Sequence, residues 1–130
     1  MSWQTYVDTN LVGTGNVSKA AIIATGNGAL WAKSGDFNLS EEEAGNIAKN
    51  ISNPSSFQAA GAKVEKEKYI FLRAKEDDGP VVYMKKGESG MCIVKCTQCI
   101  LVGLYNPPIQ PGNCNNVVEK LGEYLRNSGY

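Results

Sequence analysis

The sequence contains no histidine, no surplus of charge of either sign and no long apolar run. Without histidine the chain lacks the commonest general base and metal ligand, which argues against an enzyme. Thirteen basic residues balance thirteen acidic ones, whereas sequence-independent nucleic-acid binding depends on excess Lys and Arg. No stretch approaches the roughly eighteen apolar residues of a membrane span, and residues 1–5 lack the features of a signal peptide. We therefore expect a cytosolic protein that needs no cofactor.

The apolar patterns that are present predict one α+β domain over residues 1–130. Apolar side chains at 3, 6, 7 and 11 follow helical spacing, and so do those at 117, 118, 121, 124 and 125. Ser40 followed by three glutamates predicts a capped helix start, and residues 55–61 a short helical turn or a loop. Because the strand-like runs are joined by short connections, including a turn at 77–80, they should pair antiparallel. The sheet is predicted to have six strands, at 20–25, 29–34, 68–74, 81–86, 91–96 and 99–105.

Four cysteines raise the question of thiol chemistry. Cys96 and Cys99 form a C-x-x-C pair, but this pair lies in a predicted hairpin turn and does not open a helix, where a thiol pKa would fall. Cys92 and Cys114 have the wrong spacing for a zinc ribbon or finger. We expect four free thiols, and a thiol oxidoreductase that uses Cys96 and Cys99 stays open as the alternative from another class.

Aromatic residues lie at both ends of the chain and in the first hairpin. Aromatic residues at helical spacing are usually buried, but Val7 and Leu11 already supply a core stripe for the first helix. The aromatic side chains can then be partly exposed if the terminal helices lie side by side, and such rings would accept a proline-rich peptide. The residues concerned are Trp3, Tyr6, Trp31, Tyr124 and Tyr130.

At these residues the chain resembles the profilin family over essentially its whole length, most of all the short profilins of amoebae, fungi and plants. The order and spacing of several short segments carry the resemblance. They are residues 2–8, 29–32, 85–87, 100–105, 110–112 and 117–125. The resemblance implies a six-stranded antiparallel sheet flanked by helices, with the N- and C-terminal helices together on one face.

The resemblance also implies two binding surfaces, one for proline-rich proteins such as formins and one for monomeric actin. The family often carries His where this chain has Tyr124, which keeps a flat ring and a donor. The positions that match the proline-rich peptide site are Trp3, Tyr6, Trp31, Tyr124, Leu125 and Tyr130. The positions that match the actin site are Lys68, Ile70, Phe71, Arg73, Lys85, Lys86, Ile109, Gly112, Asn115, Asn116, Glu119 and Lys120.

From the resemblance we expect a cytoplasmic, cytoskeleton-associated regulator of actin polymerisation that binds actin one-to-one and sequesters or delivers monomers. Phosphoinositide head groups are a further expected ligand, with Lys85, Lys86, Lys120 and Arg126 as candidate contacts. The alternative within the same class is a reader of proline-rich peptides with weak or no actin affinity.

Overall fold

A computed structural model describes residues 2–53, 55–75 and 80–130 of the chain. The predicted turn at 77–80 lies outside these ranges except for Pro80. No helix within these ranges is long and apolar enough to cross a membrane. The elements in chain order are α1 (Trp3–Thr5), which continues as a π-helical stretch (Tyr6–Leu11) and a 3₁₀ turn (Val12–Thr14), β1 (Lys19–Ala24), β2 (Leu30–Lys33), α2 (Glu41–Asn50), α3 (Ser55–Ala60), β3 (Ala62–Val64), β4 (Glu67–Lys75), β5 (Val81–Lys86), β6 (Ser89–Lys95), β7 (Cys99–Tyr105) and α4 (Pro111–Asn127).

The strands form one antiparallel sheet in the order β2-β1-β7-β6-β5-β4-β3. The α+β fold with an antiparallel sheet and flanking helices is therefore confirmed. The described residues contain seven strands, however, because the prediction of six did not include the short edge strand β3. Three residues are too few to show the period-2 alternation by which strands are recognised.

An unusual turn holds β3 against β4. Glu65 and Lys66 adopt positive φ angles of 54° and 65°, a conformation that non-glycine residues rarely adopt. The carboxylate of Glu43 in α2 accepts hydrogen bonds from both backbone amides, at 3.0 Å from Glu65 and 2.8 Å from Lys66. Because Glu43 also completes the capping box with Ser40, this turn depends on a residue more than twenty positions away in the sequence.

The two faces of the sheet bury separate cores because successive strand residues point to opposite sides. In β1, Ala21 and Ile23 face a core that α2 and α3 cover. Ala20 and Ile22 face a second core that the two terminal helices cover. Both binding surfaces described below depend on this second layer.

Helix α4 lies close to the sheet because a glycine stands on each side of the contact, Gly103 on β7 and Gly122 on α4. A Cβ atom on Gly103 would lie 2.6 Å from Cγ2 of Val118, and one on Gly122 would lie 2.6 Å from Cγ1 of Val94. Neither position has room for a larger side chain. The predicted packing of both terminal helices on one face is confirmed, since Val7, Leu11, Val118 and Leu125 share one buried cluster.

Candidate functional site

Five aromatic side chains from three distant parts of the sequence form one surface, which we call the aromatic shelf. Trp3 and Tyr6 are three residues apart in the N-terminal helix, while Val7 below them is fully buried. Trp31 comes from the edge strand β2, which Gln4 fastens to the helix by donating a 2.8 Å hydrogen bond to the carbonyl of Lys33. The remaining two members are Tyr124 of α4 and the last residue, Tyr130.

The rings of the shelf lie within contact distance of one another. The centroid of Trp3 lies 4.8 Å from that of Trp31, 5.1 Å from Tyr130 and 5.7 Å from Tyr6. Tyr6 lies 6.4 Å from Tyr124. Tyr124 and Tyr130 are 55% and 44% exposed, so the shelf presents aromatic faces to solvent. The expectation that the two chain ends meet is confirmed by the edge-to-face pair of Trp3 and Tyr130.

Backbone hydrogen bonds keep Tyr130 in place at the end of the chain. Its amide donates to the carbonyl of Leu125 at 2.8 Å, and its own carbonyl accepts from the amide of Gln98. The side chain of Gln98 also donates to the carbonyl of Gly129 at 2.8 Å. The turn between β6 and β7 therefore anchors the C-terminus under the shelf.

Leu125 corrects one detail of the predicted peptide site. Its side chain is completely buried in the core below the terminal helices, so it cannot contact a ligand. It lies one helical turn from Leu121 and two from Val118 on the buried stripe of α4, and helical periodicity alone requires this burial. Leu125 instead positions Tyr130 through its backbone carbonyl.

The phenol group of Tyr6 in the shelf remains a hydrogen-bond donor. Desolvation, and then the neighbouring hydroxyl of Tyr124, raise the pKa of Tyr6 above its ordinary value. At physiological pH its hydroxyl therefore stays protonated, and it can donate to a carbonyl group of a bound peptide.

A second surface, which we call the Arg73 groove, lies between β4, β5 and the first turns of α4. The guanidinium carbon of Arg73 is 4.6 Å from the ring centroid of Tyr83. The hydroxyl of Tyr83 donates a 2.7 Å hydrogen bond to Glu119, which also forms a 3.2 Å ion pair with Lys75. The groove has a volume of about 390 Å³. Its other lining residues are Gly112, Asn115 and Asn116.

The network fixes the charged groups of the Arg73 groove. Burial, and then the hydrogen bond to Glu119, raise the pKa of Tyr83, so its hydroxyl remains a donor. The neighbouring Tyr83 and then the ion pair with Glu119 raise the pKa of Lys75, so it remains a cation. The groove therefore presents cations, while the carboxylate of Glu119 is held by Lys75 and Tyr83. This arrangement suits a partner surface that carries acidic groups.

Not all predicted actin contacts lie in the Arg73 groove. Phe71 is partly buried against the opposite core, under α2 and α3. Lys68 lines a separate groove with Phe57 and Ile47, which belong to that same side. Ile109 is partly buried against the core below the terminal helices.

The remaining predicted actin contacts do not line the groove and lie on β4, β5 and α4. Ile70 of β4 is 57% exposed and is paired with Lys85 of β5. Lys86 forms a 2.9 Å ion pair with Glu67, and Lys120 lies on α4 beside Tyr6 and Tyr124.

The four basic residues predicted to contact phosphoinositides do not share one element. Lys85 and Lys86 end β5, whereas Lys120 and Arg126 lie six residues apart on α4 and so point about 120° apart around the helix axis. Arg126 is half-buried and donates to the carbonyl of Lys95 at 3.5 Å.

The cysteines do not form a redox site. All four are free and buried. The C-x-x-C pair spans the β6–β7 turn, where the amide of Cys96 donates to the carbonyl of Cys99 at 2.8 Å. The neighbouring Cys99 thiol lowers the pKa of Cys96, whereas the Cys96 thiol and burial raise the pKa of Cys99. Because the two residues are 4% and 0% exposed, neither thiol can reach a protein disulfide, as exchange requires.

Sequence reasoning missed Lys75 and Tyr83, which complete the Arg73 groove. Tyr83 reads as an ordinary strand residue, and Lys75 as a surface charge. Their partner Glu119 is 36 residues from Tyr83 and 44 from Lys75, and no local spacing signals a contact over that separation. A Tyr and a Lys on the two strands that flank the predicted turn at 77–80 were the available signal.

Comparison with known proteins identifies the family of the chain. The sequence model of the family described as Profilin matches residues 1–130. Profilin-1A of Acanthamoeba castellanii is 45% identical over 130 residues, which is all of both chains. A Schizosaccharomyces pombe profilin structure is 37% identical with a TM-score of 0.92, over 99% of this chain and 100% of the other.

A more distant structure shares the fold. Mouse profilin IIa, in complex with a double repeat from the FH1 domain of mDia1, is 20% identical with a TM-score of 0.79 over the full length of both chains. The full-length match to the family model and the 45% identity of the Acanthamoeba castellanii protein establish that the chain belongs to the profilin family, whose members are actin-binding regulators and not enzymes.

Proposed function

We propose that the chain is a single profilin domain, residues 1–130, that binds monomeric actin one-to-one at the Arg73 groove and proline-rich peptides on the aromatic shelf. The observation that carries this proposal is the shelf itself, in which rings from both chain ends and from β2 lie 4.8 to 6.4 Å from their neighbours. Core packing does not require such an arrangement, since the residues below the rings are already buried.

The chemistry of the shelf suits a polyproline helix. Such a helix is extended and has no internal hydrogen bonds, so its carbonyl groups are free. Proline rings pack on the aromatic faces while the indole of Trp3 and the hydroxyl of Tyr6 donate to carbonyl groups. Because the ligand is already stiff, it loses little conformational entropy on binding.

The Arg73 groove suits a folded partner surface with acidic groups. Arg73 and Lys75 supply cations, and the exposed side chain of Ile70 on β4 adds apolar contact area. Lys85 on β5 and Lys120 on α4 are further basic residues of the proposed actin contact. For actin we therefore propose a contact that is centred on the groove and leaves out Phe71.

Simultaneous binding at both surfaces would let the protein act in actin assembly. It would deliver monomers to growing filament ends through proline-rich proteins such as formins, or sequester monomers when free ends are scarce. The FH1 repeat bound to mouse profilin IIa is a ligand of the expected kind. The proposed place of action is the cytoplasm, in association with the actin cytoskeleton. Binding of phosphoinositide head groups by Lys85 and Lys86 is a secondary proposal.

A two-step binding experiment tests the proposal. The protein is passed over immobilised poly-proline, eluted, and then used to capture monomeric actin. Retention in both steps is expected for the unaltered chain. Arg73→Ala should keep poly-proline retention and lose most actin capture. Poly-proline retention without any actin capture would instead favour a peptide reader that lacks actin affinity.

A further inference from the structure

A groove opens next to the aromatic shelf, and we call it the flanking groove. It has a volume of about 370 Å³ and opens between the two terminal helices. It is lined by Tyr6, Asn10 and Thr14 from the N-terminal helix and by Val117, Lys120 and Tyr124 from α4. Its walls are mainly apolar, and its polar groups lie along the N-terminal helix and at Lys120.

The flanking groove is continuous with the shelf because they share two rings. Tyr6 and Tyr124 end the row of aromatic rings and also form one wall of the groove. A peptide that lies along the row and continues past Tyr124 therefore enters the groove directly.

The length of the row determines which part of a ligand reaches the groove. From Trp31 through Trp3 and Tyr6 to Tyr124, consecutive centroids are 4.8, 5.7 and 6.4 Å apart, which limits the row to about 17 Å. A polyproline helix advances about 3.1 Å per residue, so the row accommodates at most about five prolines. The next one or two residues of a longer ligand lie at the groove.

The charge of the groove indicates what those residues should be. Lys120 is the only charged residue that lines it, and within the described ranges Lys120 forms no ion pair. The neighbouring Glu119 is held by Tyr83 and Lys75. An acidic side chain at this point would meet an amine without a competing partner.

We propose that the flanking groove is a specificity site for the residues that adjoin a proline run, taking an apolar side chain followed by an acidic one that contacts Lys120. This inference rests on the proposed function of the aromatic shelf. It adds a preference that the shelf lacks, because a row of aromatic faces accepts any proline run of sufficient length.

Peptide titration of the full chain by calorimetry tests the inference. The peptides are hexaproline alone, hexaproline followed by Leu-Glu or by Leu-Lys, and hexaproline preceded by Glu-Leu, all with blocked termini. A Leu-Glu extension at one end should tighten binding roughly fivefold, from partial burial of the leucine and one exposed ion pair. The Leu-Lys extension should gain clearly less.

Charge variants locate the effect in the groove. Asn10→Glu places a carboxylate in the groove and should reduce the gain from Leu-Glu to less than twofold, with hexaproline affinity unchanged. Lys120→Gln should remove the difference between Leu-Glu and Leu-Lys. Asn46→Glu, which adds the same charge to α2 under the other face of the sheet, is the matched control and should leave every affinity unchanged.

The outcomes separate this inference from the proposed function. The flanking groove is not a specificity site if hexaproline binds but neither the Leu-Glu nor the Glu-Leu extension improves affinity. The same conclusion follows if the gain in affinity survives Asn10→Glu. If neither hexaproline nor any extended peptide binds, both the proposed shelf function and the groove are refuted.

Discussion

Replacing Trp3 by alanine removes the ring that joins the two halves of the aromatic shelf. Trp3 contacts Trp31, Tyr130 and Tyr6 at centroid distances of 4.8, 5.1 and 5.7 Å. Each aromatic pair contributes about 0.5–1.5 kcal/mol beyond area burial, so Trp3→Ala should lower the free energy of unfolding by about 2 kcal/mol. A domain of ordinary stability remains folded after such a loss.

The effect of Trp3→Ala on peptide binding should exceed a simple loss of area. A tryptophan at the centre of a binding site typically contributes about 2 kcal/mol or more, which corresponds to roughly thirtyfold weaker binding. Titration calorimetry with decaproline measures this change, and actin affinity should stay within about twofold of that of the unaltered chain. The decaproline affinity of Trp3→Phe should lie between those of the unaltered chain and Trp3→Ala, because phenylalanine keeps an aromatic face and lacks the indole donor.

A matched control separates the shelf from general loss of apolar surface. Leu72 is an exposed apolar residue on β4, which four other strands separate from β2 in the sheet order. Leu72→Ala should leave decaproline affinity unchanged. If Trp3→Ala binds decaproline normally, or weakens actin as much as decaproline, the assignment of the shelf is wrong.

Four further outcomes follow from the Arg73 groove and from α4. Arg73→Ala should weaken actin binding at least tenfold in a pull-down titration and leave decaproline affinity unchanged, because its cation then no longer faces the partner. Tyr83→Phe removes the 2.7 Å hydrogen bond to Glu119 and should cost about 1 kcal/mol of stability in urea unfolding; an unchanged unfolding curve would contradict the network. Gly122→Ala should lower stability by about 1–3 kcal/mol, since its Cβ would lie 2.6 Å from a sheet side chain; unchanged stability in thermal unfolding would mean that α4 can move away. Burial raises the pKa of Cys114 from 9.0 to about 12. Because the unfolded chain loses this proton at a lower pH than the folded chain, the free energy of unfolding should fall as the pH rises above about 9. Cys114→Ala should make this fall in stability with pH less steep.

Periodicity in the sequence predicted the large elements but not the contacts between them. Apolar spacing identified the helix at 117–125, and the turn residues identified the first hairpin. The strand β3 has only three residues, and its turn depends on Glu43 in α2. A pattern that extends over one element cannot report a partner in another.

The site was predicted in outline because the family resemblance supplied the missing long-range information. Spacing alone left Trp3 and Tyr6 between core and surface, and only the fold brings Tyr130 to them. The direction of a single side chain depends on local geometry that the spacing of residues does not give. Phe71 precedes an irregularity in the register of β4 with β5 and faces the other core, and Leu125 falls on the buried stripe of its helix.

Simultaneous binding of both partners tests the central claim most directly. Fluorescently labelled decaproline is mixed with the protein and monomeric actin, and its sedimentation velocity is measured. Separate surfaces predict that actin shifts the peptide into a faster species with one copy of each component, and that Arg73→Ala abolishes the shift without releasing the peptide. Displacement of the peptide by actin would show that the shelf and the Arg73 groove are not independent.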